Sequence, residues 1–113
     1  MKQTLLVLTL SCSSVMAHAD FMSGNDLLNG LKGNAINRAS AIGYIAGAAD
    51  SGDFKNLNPA KLKTGFCFAV PEEVVAQQLV DIVKSWLEKH AEKRHHNASS
   101  LIAAALDEKF PCK

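Results

Sequence analysis

Three histidines, His90, His95 and His96, are the nearest thing to a reactive cluster in this chain. Imidazoles can relay a proton or ligate a metal, and these three fall at the end of a helical stretch. A metal site needs further ligands, and no carboxylate or cysteine is spaced to complete one. Solvated histidines near a helix C-terminus, where positive charge is favoured, explain them more simply. The adjacent acids Glu72–Glu73 and Asp107–Glu108 point to different sides of a helix, so neither makes a paired-carboxylate site. No serine sits in a G-x-S-x-G elbow, and Gly43 and Gly47 lie within a helix instead of a strand–loop–helix phosphate cradle. Asn97-Ala98-Ser99 matches a glycan acceptor, but a helix cap accounts for it without modification. These residue types predict a protein that is not an enzyme and holds no metal or cofactor.

Cysteine chemistry depends on the compartment. Met1-Lys2-Gln3, the apolar run "TLLVLTLSCSSVM" and the small residues of Ala17-His18-Ala19 occur in the order of a secretory signal peptide, cleaved between Ala19 and Asp20. A competing route is lipidation at Cys12 within "TLSC", although Thr9 stands where an aliphatic residue is usual, and it would tether the protein to a membrane. Removing residues 1–19 leaves a single domain, residues 20–113. Only Lys2 is lost from the charge count, which leaves 11 basic and 11 acidic residues. A net charge of zero offers no footprint for nucleic acid, and no later segment is apolar for long enough to span a bilayer. Cys67 and Cys112 remain as an even pair in an oxidising compartment, which favours a bridge between them over two unrelated buried thiols.

The elements that must position these groups read as helices. "SGNDLLNGLKG" predicts a short one with Leu27, Leu28 and Leu31 inward, limited by Gly30 and Gly33. Asn34 caps a second, with Ile36, Ala39, Ile42, Gly43, Ala46 and Ala49 near one face, ending around Asp50–Gly52. In a third helix Pro71 takes the first position and Glu72 and Glu73 the first turn. Its apolar stripe is Val75, Leu79, Ile82, Val83, Trp86 and Leu87, and it runs to about His90. After the polar connection "AEKRHHN", Asn97 or Ser99 caps a fourth helix that turns Ala98, Leu101, Ile102, Ala105 and Leu106 inward and stops before Pro111. The fold class is all-α, a small bundle of about four to five helices stapled by a disulfide.

Two features remain. Gly43 and Gly47, with Ala39 and Ala46, present so little side chain that a neighbouring helix can approach closely, leaving Tyr44 off that seam. The loop from Gly52 to Gly65 is long for a small helical domain, and its apolar Phe54, Leu57 and Leu62 stand on a polar frame. It is either a partner-contacting loop or a plain connector.

"FMSGNDLL" at 21–28, "GYIAGAAD" at 43–50, a cysteine followed by Pro71 and a long amphipathic helix, and "AALDEKFPC" at 104–112 come in a familiar order. Together they resemble the Rap/Tai family of bacterial type VI secretion immunity proteins, over essentially the whole of residues 20–113. The resemblance implies a small, exported, periplasmic helical protein, commonly a homodimer. It also implies inhibition of a peptidoglycan amidase effector by occluding its active-site cleft. Gly43, Tyr44, Gly47 and Asp50 match the family's glycine–tyrosine motif, and Cys67 and Cys112 match its C-terminal bridge. Many members carry a second cysteine pair where this chain has Leu31 and Ala41, so an apolar contact replaces that staple.

From this reading the residues expected to touch the toxin are Asp53, Phe54, Lys55, Asn56, Leu57 and Asn58 of the loop, with Arg94, His95 and His96 of the later connection. The alternative is a periplasmic structural or chaperone-like helical protein without a toxin partner.

Overall fold

The computed structural model describes residues 21–53 and 65–112. The expected signal peptide with Cys12, and loop residues 54–64, lie outside the described residues. The order is α1 (Gly24–Leu31), α2 (Ala35–Gly52), α3 (Ala76–Lys89), a 3-10 turn (Ala91–Lys93) and α4 (Ala98–Lys109). Among the described residues no strand forms, and isolated bridges pair Ser23 with Asn97, Asp53 with Phe68 and Phe68 with Pro111. The all-α class holds, and none of these helices is long and apolar enough to cross a membrane.

Helix α1 is short but fully capped. Ser23 Oγ accepts the Asp26 N–H at 3.1 Å while Asp26 Oδ2 accepts the Ser23 N–H at 3.1 Å, a reciprocal capping box. One face buries Leu27, Leu28 and Leu31, as the leucine spacing predicts. Asn34 Oδ1 then accepts the Asn37 N–H at 2.9 Å and starts α2, which ends at Gly52.

The buried stripe of α2 differs from the expected one. Ala41, Ile45 and Ala49 face the core, with Ile42, Tyr44 and Ala48 packed beside them. Ile36 is 81 % exposed, Ala39 is exposed, and Tyr44 belongs to the packed side. The glycine seam is corrected with it. Among the described residues a Cβ built on Gly43 or Gly47 meets no atom of another element within 4 Å, so neither glycine faces one of the other described helices. Apolar and small residues surround α2 almost completely, so its periodicity carries little information about which stripe turns inward.

Helix α3 begins later than the proline suggests. Pro71 opens a turn closed by the Val74 N–H on the Pro71 carbonyl at 3.1 Å, and the helix starts at Ala76. Glu72 and Glu73 therefore lie in that turn and not in the first turn of the helix. Val75 takes the N-cap position, its N–H donated to Gln78 Oε1 at 2.9 Å, and its side chain is 60 % exposed. From there most of the stripe is as expected: Leu79, Val83, Trp86 and Leu87 are buried, joined by Val80, while Ile82 is only partly buried against them. All five residues assigned to the inner face of α4 are buried.

The staple is present. Cys67 and Cys112 are bonded with their Cα atoms 5.5 Å apart and 45 residues between them in sequence. The chain around the bridge is pinned as well: Ala69 donates to the Phe110 carbonyl at 2.9 Å, Cys112 to the Cys67 carbonyl at 3.2 Å, and Cys67 to Asp107 Oδ1 at 3.2 Å. Leu31 and Ala41 are both buried in the common core, 5 % and 2 % exposed.

Candidate partner-binding surface

The connection from His90 to Asn97 is short, polar and held in one backbone shape. An α-helix leaves its first N–H groups without partners, and in α1 the connection supplies them. Gly24 donates to the His96 carbonyl at 3.0 Å and Asn25 to the Arg94 carbonyl at 2.9 Å, while Ala98 donates to the Met22 carbonyl at 2.8 Å. Within the connection Lys93 donates to the His90 carbonyl and His96 to the Lys93 carbonyl, both at 3.0 Å. The position that allows this is Gly24. A Cβ there would collide with Leu101 Cδ1 and lie 3.0 Å from the Arg94 carbonyl oxygen.

Side chains on this frame are mostly basic. His95 and His96 are exposed and lie ring against ring, with centroids 4.1 Å apart. Arg94 is half-buried, and its buried Nε makes no hydrogen bond among the described residues. His90 turns the other way: its ring stacks on Trp86 at 4.0 Å, with Nδ1 2.8 Å from the Trp86 carbonyl oxygen. It is thereby separated from the other two histidines in role. Among the described residues no group of three or more His, Cys, Asp or Glu is placed to hold a metal ion.

Trp86 is the centre of a cluster that sequence periodicity reads only as core. Its Nε1–H donates to Glu108 Oε2 at 2.9 Å, and the Lys93 ammonium stands 5.9 Å from its ring centroid. The ring lines two depressions. One, of about 540 Å³, lies between α3 and α4 and is edged by Asp81, Lys89, Glu108 and Lys109. The other, of about 280 Å³, is edged by Lys93, His96, Asn97 and Ser100. Nothing in the residue spacing marks this cluster, because Lys93 and Glu108 reach Trp86 from separate elements.

Asp53 and the 94–96 connection, both expected to meet the toxin, are placed apart. Asp53 sits at the end of α2, where α3 begins, and is 3 % exposed. Its carboxylate accepts the Val70 N–H at 3.0 Å, which ties the end of α2 to the strand-like approach to α3. Arg94, His95 and His96 follow the opposite end of α3, a helix of 14 residues and so about 20 Å long. Phe54, Lys55, Asn56, Leu57 and Asn58 lie outside the described residues. Past Gly65 the chain reaches Phe66, which borders the smaller depression beside Lys93 and His96. Of the glycine–tyrosine motif, Gly43, Gly47 and Asp50 are on the exposed face of α2, and Tyr44 is half-buried.

Among the described residues this is a small all-α domain: four helices, one bridge and a polar connection hydrogen-bonded to the start of α1. Residues 23–112 match the family described as Rap1a immunity proteins, and the chain belongs to that family. No curated protein matches the sequence. Membership makes the chain an immunity protein of a family that is not one of enzymes, and the partner it implies is a toxin effector.

Proposed function

We propose that the protein is exported to the periplasm by a signal peptide at residues 1–19 and there binds a peptidoglycan amidase delivered by type VI secretion. It blocks the enzyme by covering its active-site cleft. The observation that carries this reading is the family match across residues 23–112, four-fifths of the chain. The rigid connection supports it: backbone already fixed by α1 loses little conformational entropy when a partner is bound. Arg94, His95 and His96 supply the toxin-facing side chains there, and loop residues 54–58 supply a second contact.

Co-purification with the amidase encoded nearest in the genome tests the proposal, together with survival of cells that export the amidase to the periplasm. A complex at micromolar concentration and rescued growth are expected. Absence of both overturns the amidase reading.

The proposed form is a homodimer, and the outer face of α2 is the surface suited to a second copy. Ile36 is 81 % exposed there, and the open Gly43 and Gly47 let another backbone come close. Light scattering on the purified protein is expected to give twice the chain mass, and Gly47→Glu to return it to one.

A further inference from the structure

The smaller depression beside the connection has a chemistry that its larger neighbour lacks. Its floor is apolar, made by Trp86, Leu101 and Ala104, and Phe66 stands over one edge with 37 % of its surface exposed. Its rim carries Lys93 and His96, and among the described residues no carboxylate lines it. The larger groove mixes Asp81 and Glu108 with Lys89 and Lys109, so it has no preference for one sign of charge. At about 280 Å³ the smaller one falls just below the range of pockets that enclose drug-sized ligands. A single large side chain is the occupant that size admits.

We propose that this notch is an anchor pocket for one apolar side chain of the protein partner, with a carboxylate next to it in the partner's chain. The apolar group sits on Trp86, Leu101 and Ala104 and under Phe66, and the carboxylate meets Lys93 and His96. Anchors of this kind carry much of the affinity of a protein interface because their pockets are fully desolvated on binding. The pocket is preformed. The Lys93 and His96 backbones belong to the segment hydrogen-bonded to α1, and Trp86 is held by Glu108 at 2.9 Å and by the His90 ring. Basic groups at the rim also speed encounter with an acidic partner surface and make it sensitive to salt.

The partner's identity rests on the immunity reading, but the pocket can be tested without the partner. The probes are N-acetylphenylalaninate and its uncharged amide, titrated into isotope-labelled protein and followed by NMR. Saturable shifts are expected at the Trp86 indole N–H and the Asn97 and Ser100 amides. The carboxylate should bind about threefold tighter than the amide at low salt, as an exposed ion pair contributes, and the difference should vanish in high salt. Ser100 is exposed, so Ser100→Trp covers the notch without entering the core and should abolish the shifts. Lys93→Glu should reverse the preference for the carboxylate, and Arg38→Glu on α2 should change nothing. No saturable shifts at these residues, or equal affinity for the two probes, overturns the pocket. With an effector complex in hand, Ser100→Trp should weaken it at least about tenfold, as loss of an anchor does. An unchanged complex overturns the pocket and leaves the immunity function standing. If the unmodified protein forms no complex at all, the amidase reading fails and the probes alone decide the pocket.

Discussion

Two glycine-bearing helical regions of this protein differ completely in what surrounds their glycines. At the start of α1, Gly24 is buried, and a Cβ there would press on Leu101 and on the backbone of Arg94. On the outer face of α2, a Cβ on Gly43 or Gly47 would meet no other element within 4 Å among the described residues. The first region is a junction where α1, the 90–97 connection and α4 share backbone hydrogen bonds. The second is a face that no part of the described chain covers. A glycine in a helix therefore says little by itself; the neighbours that other elements bring decide whether it is required.

The contrast between tied and open regions can be broken most forcefully at the staple. Replacing Cys112 by Ser removes the closure of a 45-residue separation, and a loss of about 4 kcal/mol is expected. Chemical denaturation with and without reductant checks it, since reductant should then have no further effect on the variant. Next comes Gly24→Val, which places atoms against the Arg94 carbonyl and Leu101. It is expected to lower stability by about 1–3 kcal/mol through overpacking and to speed exchange of the Gly24 and Asn25 amides, or of their replacements. An unchanged melting temperature would mean that the junction yields easily. Asp53→Ala leaves the Val70 N–H without its carboxylate and is expected to cost about 1–3 kcal/mol, read by thermal melting.

The smallest expected effect has the opposite sign. Gly47→Ala removes the helix penalty of glycine without a clash, so the isolated domain should gain about 0.5–1 kcal/mol. Gly47→Leu should fold as well as the parent, because the added atoms enter open space. If α2 pairs with a second copy, that variant should still lose self-association while the protomer stays folded. A cooperative loss of folding in Gly47→Leu would place the glycine inside the domain and erase the contrast.

Much of the fold is legible in the chain. Asn34 announces a cap, and the leucines of α1 and α4 repeat with the helical period, so local rules and tertiary burial agree there. They disagree at α2 and at the start of α3. In α2 nearly every face is apolar or small, and the inward stripe Ala41–Ile45–Ala49 is selected by the helices packed on it. At Pro71 the residue types suit a helix start. The chain, however, is held extended by the Cys67 bridge and by Asp53, and it completes a turn before α3 begins. The candidate surface is legible in part: "EKRHHN" marks an exposed basic connection, while the notch beside it needs Phe66, Trp86, Lys93 and Ala104 from four stretches of chain.

The sequence by itself determined the helices' existence, the Asn34 cap, the pairing partners of the bridge and the family, because each is written in local pattern or in ordered short motifs. The expected α4 cap is not among them: Asn97 stands at the N-cap position, but its side chain makes no capping hydrogen bond among the described residues. Only the tertiary structure decided which glycine is indispensable, which face of α2 stays open and which way each histidine turns. It also made Asp53 a buried tie in place of a surface group. Those outcomes depend on contacts between residues far apart in the chain, and contacts of that kind leave no period or spacing to read.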